Sequence, residues 1–151
     1  MIELLDYLTK IGIAVILGIF LGWEREQSHK NAGLRTTTLV MLGATLFTII
    51  SVILRETDGT YDIGRIMAYT IAGIGFLGTG IIAKGKDSSG VTTASLLWSV
   101  VGIGILVGLG QFQLAIISAL VIYFILKLKY IKIKIEGINK KKRRRKCLKR
   151  K

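Results

Sequence analysis

Hydrophobic positions along this chain fall into long continuous blocks, not into the alternating pattern of strands. Leu4–Trp23 is a 20-residue block whose polar interruptions, Asp6, Thr9 and Lys10, all sit near its start. Leu39–Leu54 covers 16 residues and is extended at its front by Thr36–Thr38. Ile66–Ala83 runs for 18 residues and Ala94–Leu126 for 33 residues without a charge. A helix of about 20 apolar residues crosses a hydrocarbon core of about 30 Å, so these blocks predict membrane spans. The last block would extend about 50 Å as one helix at 1.5 Å per residue, which is too long. A break is expected near Gly108-Leu-Gly110-Gln111-Phe-Gln113, where glycines meet two amides. The predicted fold is an all-α membrane protein with five transmembrane helices near 4–23, 36–54, 64–83, 92–109 and 112–127. Together they form a transmembrane domain over 1–126, followed by a basic tail over 127–151 with no soluble carboxyl-terminal domain expected.

Charge supports this division. The 151 residues carry a net +13 and are 51% hydrophobic, with a mean hydropathy of +0.55. Residues 1–126 hold 8 basic and 8 acidic side chains, whereas 127–151 hold 14 basic side chains and one acid, Glu136. Arg25, Lys30 and Arg35 lie in the first loop, and Lys84 and Lys86 in the third. The positive-inside rule then places the amino terminus outside, with the first and third loops and the tail in the cytoplasm. Five spans satisfy the rule; four would not. The expected location is therefore a membrane that the chain crosses five times. Glu3 and Asp6 occupy the place of a positive n-region, and no small-residue cleavage site closes the first block, so no secretory leader is expected.

In the tail, residues 130–136 (YIKIKIE) alternate as a strand or interfacial segment would, and residues 140–151 (KKKRRRKCLKRK) form a polycation. Beside a membrane span, such a tail is expected to bind anionic lipid headgroups, at about 1 kcal/mol per basic residue. Nucleic acid is not the expected partner. Cys147 is the chain's single cysteine, so no internal disulfide can form, and it reads as a plain free thiol.

Gly73-Ile-Gly75-Phe-Leu-Gly78 matches the dinucleotide pattern G-x-G-x-x-G. That fingerprint requires a strand before it, a helix after it and an acid about 20 residues on. Here it stands inside an uncharged block, so no cofactor is expected. At 100° per residue, Gly75 and Gly78 share one side of a helix while Gly73 and Gly80 share the other, giving a helix thin on two faces. Gly18 and Gly22, and Gly104 and Gly108, are further small-x-x-x-small pairs of the kind that let helices approach in lipid.

Polar groups gather in two loops predicted on the same side. Glu24, Arg25 and Glu26 end the first span, and Gly33, Arg35 and Thr36 open the second; Arg35 is placed to pair with Glu24 or Glu26 across the loop. Ser88, Ser89, Thr92 and Thr93 are placed to cap the fourth helix, with Gly90 allowing the turn. The two loops together make the best candidate for a site, for a ligand or for another protein. His29 is the only histidine and no metal site is expected. Glu56, Asp58 and Asp62 would suit a hard cation, but the simpler reading is three solvated acids. No nucleophile has a base beside it, so an enzyme using the Glu24, Glu26, Thr92 and Thr93 face ranks last.

The segments GWERE, AGLRTTTLVMLGATLF, AGIGFLGTGII and GVTTASLLWSVVGIGILVGLG, in this order, resemble the MgtC/SapB family of bacterial inner-membrane proteins over roughly residues 8–125. The resemblance implies five spans with a cytoplasmic carboxyl end. It also implies a regulatory role linked to low magnesium, acid stress, growth inside macrophages or restraint of the membrane ATP synthase, more than a magnesium pump. The characteristic polar positions it implies are Glu24, Arg25, Glu26, Gly33, Arg35, Thr36, Thr92 and Thr93. Asn31 stands where many members carry proline, and this chain has no proline at all. Longer members continue into a cytoplasmic domain, and regulation by such a domain is not carried over.

The leading expectation is therefore a non-enzymatic regulatory membrane protein that binds another membrane protein or forms a homo-oligomer. A Mg²⁺ or proton transporter or channel is the alternative. It has less support because no ionisable or amide side chain falls in the middle of the first four spans.

Overall fold

The computed structural model describes residues 2–28, 30, 32–84 and 89–128. His29, Asn31, Ser88 and the tail from 129 onward, including Cys147 and the anionic-lipid and polycation expectations, lie outside the described residues. The chain divides into two compact units, residues 1–119 and 120–151.

All regular structure among the described residues is helical: α1 (Ile2–Gln27), α2 (Leu34–Thr57), α3 (Ile63–Lys84), α4 (Ser89–Gly108) and α5 (Phe112–Leu128). The first four are long and apolar enough to cross a membrane, and α5 is shorter. α1 runs on through Gln27 and α2 starts at Leu34, so the charged segment 24–26 is helical and the first loop is short. Between α4 and α5 the chain turns at Gly110, whose φ of 77° favours glycine. There Gly110 N–H donates to Val107 O (2.9 Å) and Gln111 N–H to Leu106 O (2.8 Å), the paired bonds of a Schellman stop.

Glycine contacts fix the topology of the first unit. A Cβ on Gly18 would lie 2.7 Å from Thr38 Cα, and one on Gly22 would lie 2.6 Å from Leu34 Cα. The residue numbers run in opposite senses, so α1 and α2 are antiparallel. A Cβ on Gly104 would meet Met41 O at 2.6 Å, and one on Gly108 would meet Thr48 Cβ at 2.5 Å. Here the numbers rise together, so α2 and α4 are parallel. Gly90 lies against Ile81 and Ile82, which sets α3 antiparallel to α4. One end of the unit therefore gathers the finish of α1 and α3 and the start of α2 and α4; we call it the polar end.

The core lies between α1, α2 and α4, where Leu21, Met41, Leu97, Val100, Ile103 and Val107 are almost wholly buried. Half of α4's apolar window is buried, against 6% of α3's. Several hydroxyls in the helices are spent on carbonyls, whereas that of Thr38 is buried with no hydrogen-bond partner among the described residues. Thr45 Oγ1 lies 3.0 Å from both Met41 O on its own helix and Gly104 O on α4, a contact that requires the bare backbone of Gly104. Thr48, Thr70, Thr79, Ser95 and Ser99 each donate to the carbonyl four residues back.

α3 differs from the expectation of a helix packed on two faces. Ile74 is buried and a Cβ on Gly78 would lie 3.5 Å from Ala94 Cβ, but a Cβ on Gly73, Gly75 or Gly80 would meet nothing within 4 Å. One flank of this thin helix is filled by α4. The other is bare, and Phe76 beside it is 85% exposed. Ala68, Ala72, Gly75 and Thr79 are all exposed. Their spacing of four, three and four residues makes a continuous small-residue stripe on the bare side.

In the second unit, Tyr123 and Phe124 meet edge to face with centroids 6.2 Å apart, and Lys127 Nζ lies 5.2 Å from the Tyr123 ring centroid.

Candidate functional site

The polar end is built from the last turn of α1. Trp23 is 58% exposed there, whereas Glu24 and Arg25, the next two residues, are only 8% and 4% exposed. Close approach explains the difference: Gly22 admits the start of α2 against α1, and the helical turn then carries residues 24 and 25 into the junction with α4. Arg25 Nη2 donates to Thr93 Oγ1 at 2.6 Å, joining helices 68 residues apart in sequence. Thr93 is fully buried.

The remaining bonds are local. Ser28 Oγ donates to Glu24 Oε1 at 3.0 Å. Lys30 N–H donates to Arg25 O at 3.1 Å, closing the turn after α1. Leu34 N–H donates to Glu26 Oε2 at 3.0 Å, so the acid of one helix satisfies a first-turn amide of the next. A Cβ on Gly33 would occupy the place of Glu26 Oε2, so the bare glycine lets the carboxylate reach that amide. Thr37 Oγ1 returns to Gly33 O at 2.9 Å.

Two charged atoms are left over. Glu24 Oε2 and Arg25 Nε are buried and have no hydrogen-bond partner among the described residues. Desolvating an ion costs several kcal/mol, and a neighbouring opposite charge offsets this only in part. An unmet buried polar atom adds about 1–3 kcal/mol. A buried, incompletely satisfied polar knot thus stands at the edge of an otherwise apolar unit.

The structure thus brings Glu24, Arg25, Glu26, Gly33 and Thr93 together. It leaves Arg35, Thr36 and Thr92 exposed. The expected pairing of Arg35 with Glu24 or Glu26 does not form: Glu26 is engaged at the Leu34 amide, and Glu24 is turned inward beside Arg25. Among the described residues the one ion pair is Lys10 with Asp6, at 2.6 Å on α1. Ser28 was missed in the sequence, although its place four residues after Glu24 on a helix was a usable signal.

At the opposite end the acids serve the turn. Asp58 Oδ1 accepts from Thr60 Oγ1 (2.7 Å) and Thr60 N (3.0 Å), and Asp62 Oδ1 accepts from Gly64 N (2.8 Å) at the start of α3. The Thr60 hydroxyl, then its amide, hold the Asp58 carboxyl below the ordinary carboxylate range. Among the described residues no group of three His, Cys, Asp or Glu side chains converges.

Comparison with known proteins gives a consistent result. The family described as MgtC family matches residues 11–132. Protein MgtC of Salmonella typhimurium (strain LT2) is 41% identical over 117 residues, covering 77% of this chain and 49% of that protein. Protein MgtC of Brucella abortus (strain 2308) is 40% identical over 110 residues, covering 72% and 45%. Protein SapB of Bacillus subtilis (strain 168) is 34% identical over 124 residues, covering 78% and 53%. The chain spans about half the length of the curated relatives it matches. No solved structure matches.

Proposed function

This chain belongs to the MgtC family, and from that premise we propose that it is a regulatory multi-pass protein of a bacterial inner membrane, acting by helix contact with another membrane protein. Control of magnesium or acid stress, or of the ATP synthase, is the setting the family resemblance favours. We assign it no catalytic step. The proposed orientation is amino terminus outside and tail inside, with the tail held by anionic lipid.

The observation that carries this reading is the bare flank of α3. Helices in lipid associate through close packing of small residues, since lipid tails offer no hydrophobic drive. Ala68, Ala72, Gly75 and Thr79 present such a surface, and a Cβ on Gly75 would meet none of the described residues within 4 Å. Copurification from native membranes in mild detergent tests the reading. Gly75→Leu is expected to remove the partner and leave thermal stability unchanged, because its side chain enters open space within the chain. A partner retained by Gly75→Leu, or none in the native host, would refute it.

The transport alternative draws on the unpartnered Oε2 of buried Glu24. Cation flux into liposomes, lost in Glu24→Gln and retained in Arg35→Ala, would favour it over regulation.

A further inference from the structure

α2 and α3 are joined at one end and parted at the other. Away from the polar end, Ser51 Oγ donates to Ile63 O at 2.9 Å, which ties the finish of α2 to the start of α3. Toward the polar end a groove of about 550 Å³ opens between them, with Val101 of α4 in its floor. That volume falls within the range of about 300–1,000 Å³ usual for small-molecule sites. The walls include Leu39, Gly43 and Phe47 on α2 and Tyr69, Gly73 and Leu77 on α3. Leu39 is 67% and Tyr69 73% exposed, so the groove is open along its side. It follows α2 for about 12 Å and α3 for about 16 Å at 1.5 Å per residue.

Its mouth is charged. Arg35 and Thr36 precede the wall residues Leu39 and Val40 by one helical turn, so each stands on the face of α2 that lines the groove. Both are exposed. Arg35 makes no ion pair among the described residues. Glu26 is the nearest acid in sequence, and its Oε2 is engaged by the Leu34 amide.

We infer that this groove binds one anionic phospholipid, with an acyl chain between α2 and α3 and the phosphate at Arg35 and Thr36. The inference rests on the family's membrane setting and is independent of the partner reading above. Hydrocarbon is the medium on the open side of an intramembrane groove, and an unpaired guanidinium at its mouth selects an anionic headgroup. Glycines at 43 and 73 keep the walls thin. A Cβ at either would meet nothing within 4 Å, so no protein packing demands glycine there.

The test is native mass spectrometry of the full chain released from detergent with phosphatidylglycerol or phosphatidylcholine of the same acyl chains. One phosphatidylglycerol per chain is expected to survive at energies that strip phosphatidylcholine. Arg35→Gln should lower retention about fivefold, the equivalent of about 1 kcal/mol for one basic group. Lys142→Gln, which removes the same charge from the tail, should leave this tightly held lipid in place. Gly73→Leu fills the groove and should expel the lipid from a chain that still melts at the wild-type temperature. Equal loss in Arg35→Gln and Lys142→Gln, undiminished retention in Gly73→Leu, or equal retention of phosphatidylcholine would each overturn the proposal. So would a lipid-free dimer that Gly73→Leu dissociates, since the occupant would then be a second copy.

Discussion

Thr93→Val tests the polar knot most directly, because it keeps a branched side chain and removes the acceptor that Arg25 Nη2 reaches at 2.6 Å. A hydrogen bond to a charged group contributes about 1.5–3 kcal/mol in proteins. Interhelical bonds in membranes average lower, about 0.6 kcal/mol with a maximum near 1.7, because the unfolded helices find other partners in lipid. Here the donor is charged, 4% exposed and already lacks a partner at Nε, so little alternative solvation is available. A coupling of about 1.5 kcal/mol, near the overlap of these ranges, is expected. Thr93 takes part in a further interaction, so the single variant does not isolate the Arg25 bond. A double-mutant cycle with Arg25→Met isolates it. Unfolding by sodium dodecyl sulfate in mixed micelles can be followed through Trp23 and Trp98, which flank the two partners in sequence. Thr92→Val, on an exposed residue, is the matched control and should move the midpoint little. A coupling below about 0.5 kcal/mol, the scatter expected of independent sites, would refute the reasoning. So would a control as damaging as Thr93→Val.

Gly104→Ala and Gly108→Ala should each lower thermal stability by about 1–3 kcal/mol through overpacking. Their new methyls meet Met41 O and Thr48 Cβ, while Gly75→Ala, in open space, should melt as wild type. Glu26→Ala should cost about 1 kcal/mol as a lost helix cap. Gly33→Ala should be damaging alone but almost harmless in the Glu26→Ala background, since the obstacle to its methyl is the Glu26 carboxylate; melting of the four proteins measures this non-additivity. Asp58 has a depressed folded pKa, so its support of the α2–α3 turn is present above the ordinary carboxylate value and lost as pH falls through the depressed one. Thr60→Ala removes the largest cause, and a carboxyl NMR titration should show the Asp58 midpoint rising toward its ordinary value.

The helices were legible because their signal is length: uninterrupted apolar blocks leave no alternative in a membrane. The stop at Gly110 was legible as chemistry, since a 33-residue block needed a break and glycine beside two amides supplied it. Pairing was harder to read. Arg35 and the acids at 24 and 26 look complementary across a short loop, but sequence does not tell which carboxylate is spent on a backbone amide. The Leu34 N–H claims Glu26, and rotation of one residue on α1 turns Glu24 inward. Gly104 and Gly108 look like Gly73 and Gly75 in sequence. Only the placement of neighbours shows that the first pair touches α2 and the second touches nothing.

That difference between glycines bears on how the unit works. α1, α2 and α4 lock through glycine contacts tight enough that a single methyl would force backbone apart. α3 is held along one side by α4 and at one end by the Ser51–Ile63 bond. Its other flank and the groove beside it face the surrounding medium. Within the membrane a weakly packed helix gains little from hydrophobic exclusion, so its position depends on whatever supplies close contacts. The trio is joined at the polar end by the Arg25–Thr93 bond, and Thr93 lies in the second turn of α4, the helix against which α3 leans at Gly78 and Ala94. A lipid or partner that moves α3 would therefore press on the residue next to the buried arginine's only described side-chain acceptor. The polar knot and the seat of the bare helix are thus held by consecutive residues of α4, Thr93 for the arginine and Ala94 for Gly78 of α3.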